Sequence, residues 1–185
     1  MVSGRARITS VEEMRALIEQ RGSTLNGHYI SKDVIYVPKK ASFNLSDDFL
    51  RMRICLVKDW PTKDVILLRK QTQFEGASKV ERTVFKQEFD TVDEARAYIE
   101  AHFVNEFTFG FEYQREGWSY KVDDQQVYIE AINGLPPSIE AESVSPEQLA
   151  ELFSKLGVLE RYEASVAELI RRSLSREGEM RKGMK

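Results

Sequence analysis

The sequence predicts an α+β protein: an eight-stranded antiparallel β-barrel with helices packed outside. Three observations predict it. Long runs rich in β-branched and aromatic residues are separated by short turn signals, which favours hairpins over parallel crossovers. Each of three capped helix starts follows directly on a strand-like segment, giving a weak strand-then-helix repeat. Charged residues in the strands fall on alternate positions, opposite apolar ones.

The first strand-like stretch is "RARI". A helix follows in "TSVEEMRALIEQRG", with Ser10 and Glu13 spaced as a capping box, apolar Val11, Met14, Leu17 and Ile18 at helical intervals, and Gly22 as its stop. Then come "HYISKDVIYV", "FLRMRICLVK", "DVILLRKQTQ" and "KVERTVFKQEFD", with turns at Lys58-Asp59-Trp60-Pro61 and Glu75-Gly76-Ala77-Ser78. "DTVDEARAYIEAHF" repeats the capping device with Thr91 and Glu94. "FTFGFEYQREGWSYKV" and "QQVYIEAI" follow, divided by Asp123-Asp124. "GLPPSIEAES" brings the last strand, and "VSPEQLAELFSKLG" a third helix, with Ser145 as cap, Pro146 at its first position and Gly157 as its stop. Residues 1–175 read as a single domain and 176–185 as a polar C-terminal tail.

Composition narrows the function classes. The 185 residues are 42% hydrophobic and 31% charged, enough for a core. A net charge of -3 argues against a nucleic-acid binder. Cys55 is the single cysteine, which excludes an internal disulfide and a cysteine zinc site and suits a reducing, cytoplasmic home. No apolar run approaches a membrane span. His28 and His102 stand far apart, and H-E-x-x-H, Walker, G-x-G-x-x-G and G-x-S-x-G motifs are absent.

The strand charges carry the functional argument. Arg51 and Arg53 share a face of "LRMR", with Leu50, Met52 and Ile54 opposite. Lys70 shares a face with Ile66 and Leu68; Arg82, Lys86 and Glu88 share one; Tyr113 and Arg115 share another. Glu130 closes "VYIE", with Val127, Ile129 and Ala131 opposite. In "IEAE", Glu140 and Glu142 project the same way, about 7 Å apart along the chain. Cations along several strands suit phosphate oxygens, and paired carboxylates suit a hard divalent ion. For any one strand taken alone, a solvated sheet face is the better explanation. Trp60 and Trp118 read as core, rim or interface residues.

The order "RARI", "LRMR", "ILLRK", "ERTVFKQE", "YQR", "YIEAINGL", "IEAE" resembles the CYTH family, the triphosphate tunnel metalloenzymes, from roughly Arg5 to Leu174 including the last helix pair. That family includes class IV adenylate cyclases, thiamine triphosphatases and inorganic triphosphatases. The resemblance implies an eight-stranded antiparallel triphosphate tunnel and a metal-dependent phosphohydrolase or cyclase. It makes Arg5, Arg7, Arg51, Arg53, Lys70, Arg82, Lys86 and Arg115 candidate phosphate contacts, with Lys70 and Arg53 catalytic. It makes Glu130, Glu140 and Glu142 candidate ligands of Mg2+ or Mn2+. The partner expected is a triphosphate-containing small molecule (tripolyphosphate, thiamine triphosphate or a nucleoside triphosphate), with neither nucleic acid nor membrane, in a monomer or homodimer.

The chain departs from the family in three places. The first-strand glutamates would fall at Met1 and Ser3, with Arg5 in the lysine's place. Val84 and Lys86 replace the carboxylates of R-x-E-x-E, and Tyr113 stands where lysine is usual. Two explanations stay open: residues ahead of Met1 that carry E-x-E-x-K, or a divergent member. Three functions follow: a metal-dependent triphosphatase or cyclase, a catalytically weakened organic-phosphate or polyphosphate-binding module, or an interaction protein with solvated charges.

Overall fold

A computed structural model describes the backbone of residues 2–59, 63–75, 78–158, 160–162 and 164–183. Side chains are described throughout those segments except at residues 2, 72–75, 78–82 and 176–183. Met1, Trp60 and parts of the two turns expected at 58–61 and 75–78 lie outside the described residues, as does the side chain of Arg82.

The elements follow the expected order: β1 (Val2–Arg7), α1 (Val11–Gln20), β2 (Leu25–Pro38), β3 (Asp48–Lys58), β4 (Val65–Glu75), β5 (Ser78–Phe89), α2 (Val92–His102), β6 (Phe107–Val122), β7 (Gln125–Ile132), β8 (Ser138–Ser143), α3 (Pro146–Lys155) and α4 (Val166–Gly183). The predicted caps form. Ser10, Thr91 and Ser145 accept from the backbone N–H groups of Glu13, Glu94 and Gln148, and Thr91 with Glu94 makes the complete reciprocal box. The fourth helix was not singled out by periodicity, although Ser165 accepts from the Glu168 N–H at 3.2 Å in the same S-x-x-E spacing. Its backbone stays helical through Gly183, across most of the stretch expected as a tail.

One eight-stranded sheet runs in the order β1-β8-β7-β6-β2-β3-β4-β5. The α+β class and the eight antiparallel strands stand, but the sheet is not closed into a barrel. Closure needs the two edge strands to pair, and the outer edge of β1 is already taken. Arg7 N–H donates to Glu160 O at 3.0 Å, Tyr162 N–H donates to Arg5 O at 2.8 Å, and Ala6 bridges Arg161. The segment after α3 therefore satisfies the backbone groups that a closing strand would use.

The chain divides into two compact units. Unit 1 comprises residues 1–30, 57–60 and 115–163; unit 2 comprises residues 31–56, 61–114 and 164–185. Each has its own core. In unit 1, Ala6, Ile129, Ile139 and Ala141 of the strands are fully buried against Ile18 of α1 and Leu152 and Phe153 of α3. Gly4 belongs to this contact: a Cβ there would lie 2.7 Å from Leu149 Cδ2, so glycine lets α3 come this close to β1 without displacing the Leu149 side chain. In unit 2, Leu50 and Met52 of β3 and Val65 and Leu67 of β4 pack on Ala95 and Ile99 of α2. No helix among the described residues is long and apolar enough to cross a membrane.

Candidate functional site

In each unit, alternation sends one set of strand side chains into the core and the next set to a second, charged face. The two charged faces differ.

In unit 2, β3 and β4 pair with Arg51 opposite Leu68, Arg53 opposite Ile66 and Phe49 opposite Lys70. On β5, Lys86 lies opposite Leu68 and Glu88 opposite Ile66. Arg51, Arg53, Lys70 and Lys86 therefore share one face, while Leu50 and Met52 are fully buried behind it. β2 adds Asp33, a fully buried carboxylate. The Arg53 fork closes on it, Nε to Oδ1 at 2.8 Å and Nη2 to Oδ2 at 3.0 Å, and Arg51 Nη1 lies 3.9 Å from Oδ2. A two-pronged bond of this kind fixes a guanidinium's plane as well as its position. Lys86 is half-exposed and pairs with Glu88 at 2.8 Å.

Sequence reasoning missed Asp33. Its signal was an acid alternating with Val34 and Tyr36 of the unit 2 core in "KDVIY". The shared face of Arg82 and Lys86 also assumed unbroken alternation. A bulge intervenes: Arg69 pairs with Phe85 but Lys70 with Thr83, so Val84 is the extra residue and Arg82 falls opposite Gln71. Tyr113 is buried beside Phe111, with ring centroids 6.4 Å apart.

In unit 1, β1 and β8 pair with Arg5 opposite Glu140, Arg7 opposite Ser138 and Ser3 opposite Glu142. Glu140 and Glu142 share the charged face, while Ile139 and Ala141, at the alternate positions, are buried in the core. β7 supplies Glu130 from opposite Ser138. Arg5 sits among these groups: Nη1 lies 2.5 Å from Glu130 Oε2 and donates to Ser138 Oγ at 2.8 Å, and Nη2 donates to Glu140. Arg115 Nη1 donates to the other Glu130 oxygen at 2.9 Å, and the Tyr29 hydroxyl donates there as well. Tyr29 reaches Glu130 across Gly117, where any Cβ would overlap the tyrosine ring. Glu130 and Arg115 are almost fully buried.

Burial opposes the Arg5 charge, yet Glu130 and then Glu140 outweigh it and hold the guanidinium pKa above its ordinary value. Arg7 is half-exposed on the same strand, with Glu160 at 4.0 Å. Trp118 packs against the unit 1 core, with the Arg15 guanidinium 4.9 Å above its ring.

No protein-family model matches the chain, and no curated protein does. Solved structures do. A Pyrococcus horikoshii protein superposes with a TM-score of 0.74 at 18% identity, over 92% of this chain and 98% of that one. A Vibrio parahaemolyticus protein described as a candidate adenylate cyclase superposes at 0.67 and 13%, over 92% and 97%. A Hippeastrum protein, described as a candidate adenylyl cyclase with a dominant triphosphatase activity, superposes at 0.64 and 15%, over 92% and 94%. The chain has a CYTH-type fold.

On that CYTH-type frame, the metal ligands expected at Glu130, Glu140 and Glu142 can be tested against their surroundings. A hard divalent ion needs several oxygen donors, with charged carboxylates turned to a common point. Here Arg5, Arg115 and Tyr29 hold Glu130, and Arg5 also holds Glu140. Among the described residues, no group of three or more His, Cys, Asp or Glu is placed to hold a metal ion. The residues present do not fit Mg2+ or Mn2+ in this arrangement.

Proposed function

We propose that this chain is a CYTH-type protein that binds a triphosphate-containing small molecule through the charged face of unit 2. One observation carries the reading: among the described side chains, Arg51, Arg53, Lys70 and Lys86 share a sheet face with only two carboxylates, Asp33 and Glu88. The surplus is positive, and the Arg53 fork is already held in one plane by Asp33. Guanidinium forks match phosphate oxygens two at a time, and the lysines add point charges for a ligand of high negative charge. A triphosphate fits this demand better than a monophosphate because it presents several charged groups to several cations at once. Tripolyphosphate, thiamine triphosphate and nucleoside triphosphates all satisfy that chemistry.

The geometry favours a binding module over a metal-dependent hydrolase, because the carboxylates are engaged by arginines. Hydrolysis or cyclisation is the second reading, and the triphosphatase activity named for the Hippeastrum neighbour favours it. In that reading Lys70 and Arg53 stabilise the charge developing on the phosphoryl oxygens.

Calorimetry with tripolyphosphate and with orthophosphate at moderate salt tests the proposal. Tripolyphosphate is expected to bind at least about tenfold more tightly; equal, weak binding of both sinks the proposal. A phosphate-release assay on tripolyphosphate, thiamine triphosphate and ATP separates the two readings, and robust turnover selects the second.

A further inference from the structure

The carboxylates of unit 1 raise a question that the phosphate reading does not answer. Three glutamates on two neighbouring strands are an unusual concentration of negative charge, and one of them, Glu130, is 1% exposed. Buried carboxylates need a cationic partner. The partner here is a side chain of the same unit. The Arg5 guanidinium spans from Glu130 on β7 to Glu140 on β8 and also bonds Ser138, so one planar group joins both carboxylates. Arg115 completes the charge of Glu130 from β6.

Arg5 has little freedom to leave. Its strand is bonded on one edge to β8 and on the other to Glu160–Tyr162. Of its neighbours, Gly4 meets Leu149 and Phe153 of α3, and Ala6 is fully buried in the unit 1 core. The Arg5 side chain is only 10% exposed, and its guanidinium is held by Glu130, Glu140 and Ser138 together. A dication entering between Glu130 and Glu140 would stand beside a fixed positive charge and would take donors that the guanidinium already uses.

We infer that Arg5 is the resident counter-cation of this chain: it fills the carboxylate cluster of β7 and β8, excludes divalent metal from it, and makes anion binding by the chain metal-independent. The last part rests on the triphosphate-binding reading; the first two do not. Arg5 acts here as a positioning and charge-balancing residue.

Two measurements test the inference. In the first, Mn2+ is titrated into the full chain and the free-ion EPR signal is followed. The wild type is expected to leave the signal unchanged into the millimolar range. Arg5→Ser, which opens the cluster, is expected to bind Mn2+ at least about tenfold more tightly than the wild type, and adding Glu140→Gln is expected to reverse that gain. Mn2+ binding by the wild type that Glu140→Gln removes would overturn the inference, and so would a folded Arg5→Ser protein with no gain in affinity. Should circular dichroism show Arg5→Ser unfolded, Arg5→Gln, which keeps the stem and a hydrogen-bonding head, takes its place under the same criteria.

The second measurement compares tripolyphosphate binding in EDTA and in Mg2+. Equal affinity, or tighter binding in EDTA, supports metal independence; a loss of about tenfold or more in EDTA refutes it. Absence of binding in both buffers would sink the triphosphate reading and with it metal-independent anion binding, while the manganese titration still decides the role of Arg5.

Discussion

The two charged faces are built by the same rule and use their charges differently. In unit 1, Arg5, Arg7 and Arg115 share a face with Glu130, Glu140 and Glu142, three guanidiniums to three carboxylates, and Glu130 and Glu140 close in on Arg5. In unit 2, among the described side chains, two carboxylates, Asp33 and Glu88, stand with four cations. A buried face that balances its own charges has none to offer a ligand, and its ion pairs hold the fold. A face with surplus charge is less favourable empty and gains when an anion arrives. The comparison teaches that cations on alternating strand positions do not by themselves mark a binding site; the local balance of sign does.

The largest expected effect comes from breaking the unit 1 network. Arg115→Ala leaves Glu130 buried with half its charge partners gone and should destabilise the fold by about 3–5 kcal/mol. Urea denaturation checks this; a loss below 1 kcal/mol would show that the pair is not a structural element. Acid should act next, on the α4 cluster of unit 2. Arg171, against the opposing effect of burial, and then Arg172 and the Leu45 N–H lower the Glu168 pKa to about 2. A depressed carboxylate pKa contributes stability that is complete above its unfolded value and is lost as pH falls toward about 2. That contribution is about 2–3 kcal/mol, so thermal melts of Glu168→Gln and wild type should differ clearly at neutral pH and converge near pH 2.

On the unit 2 face, Arg53→Ala should weaken tripolyphosphate binding by about 1.5–3 kcal/mol, the range for a hydrogen bond to a charged group. Calorimetry on the folded variant reads it; unchanged affinity would remove Arg53 from the contact. The smallest effect sharpens the comparison most. Glu88→Gln releases Lys86 from a part-exposed ion pair and should strengthen tripolyphosphate binding by about 0.2–1 kcal/mol. Weaker binding would mean that Glu88 helps the ligand, against the sign argument.

Much of this was legible in the chain. The helices of both units announced themselves through Ser10, Thr91 and Ser145, because a cap and its partner lie only three residues apart. Strand faces were legible for the same local reason: Leu50, Arg51, Met52 and Arg53 alternate as their pattern requires. What escaped was long-range. Asp33 matters because Arg53, twenty residues on, closes on it, and no pattern within β2 states that. Barrel closure failed because Glu160–Tyr162 occupy the edge of β1, a choice between partners far apart in sequence. The bulge at Arg69/Lys70 inserts Val84 without any local mark, so counting by twos across β5 went out of phase. The α4 helix carried its own signal, Ser165 and Glu168, but Ser165 and Glu168 also tie α4 to Leu45.

Gly4 gives the unit 1 face a mechanical property. With no side chain there, Leu149 and Phe153 bear directly on the strand that carries Arg5, from the side opposite its charge. The helix is a backstop, and its side chains set the rest position of the guanidinium much as a shim sets the height of a bearing. Hydrogen-bonded charge geometry tolerates errors of only about 0.5 Å. A methyl group more or less at Leu149, wholly apolar and on the far side of the sheet, is expected to move the strand that carries Arg5 and so the geometry of its bonds to the glutamates. The chain can be adjusted electrically by carpentry in its core, with every charged residue left in place.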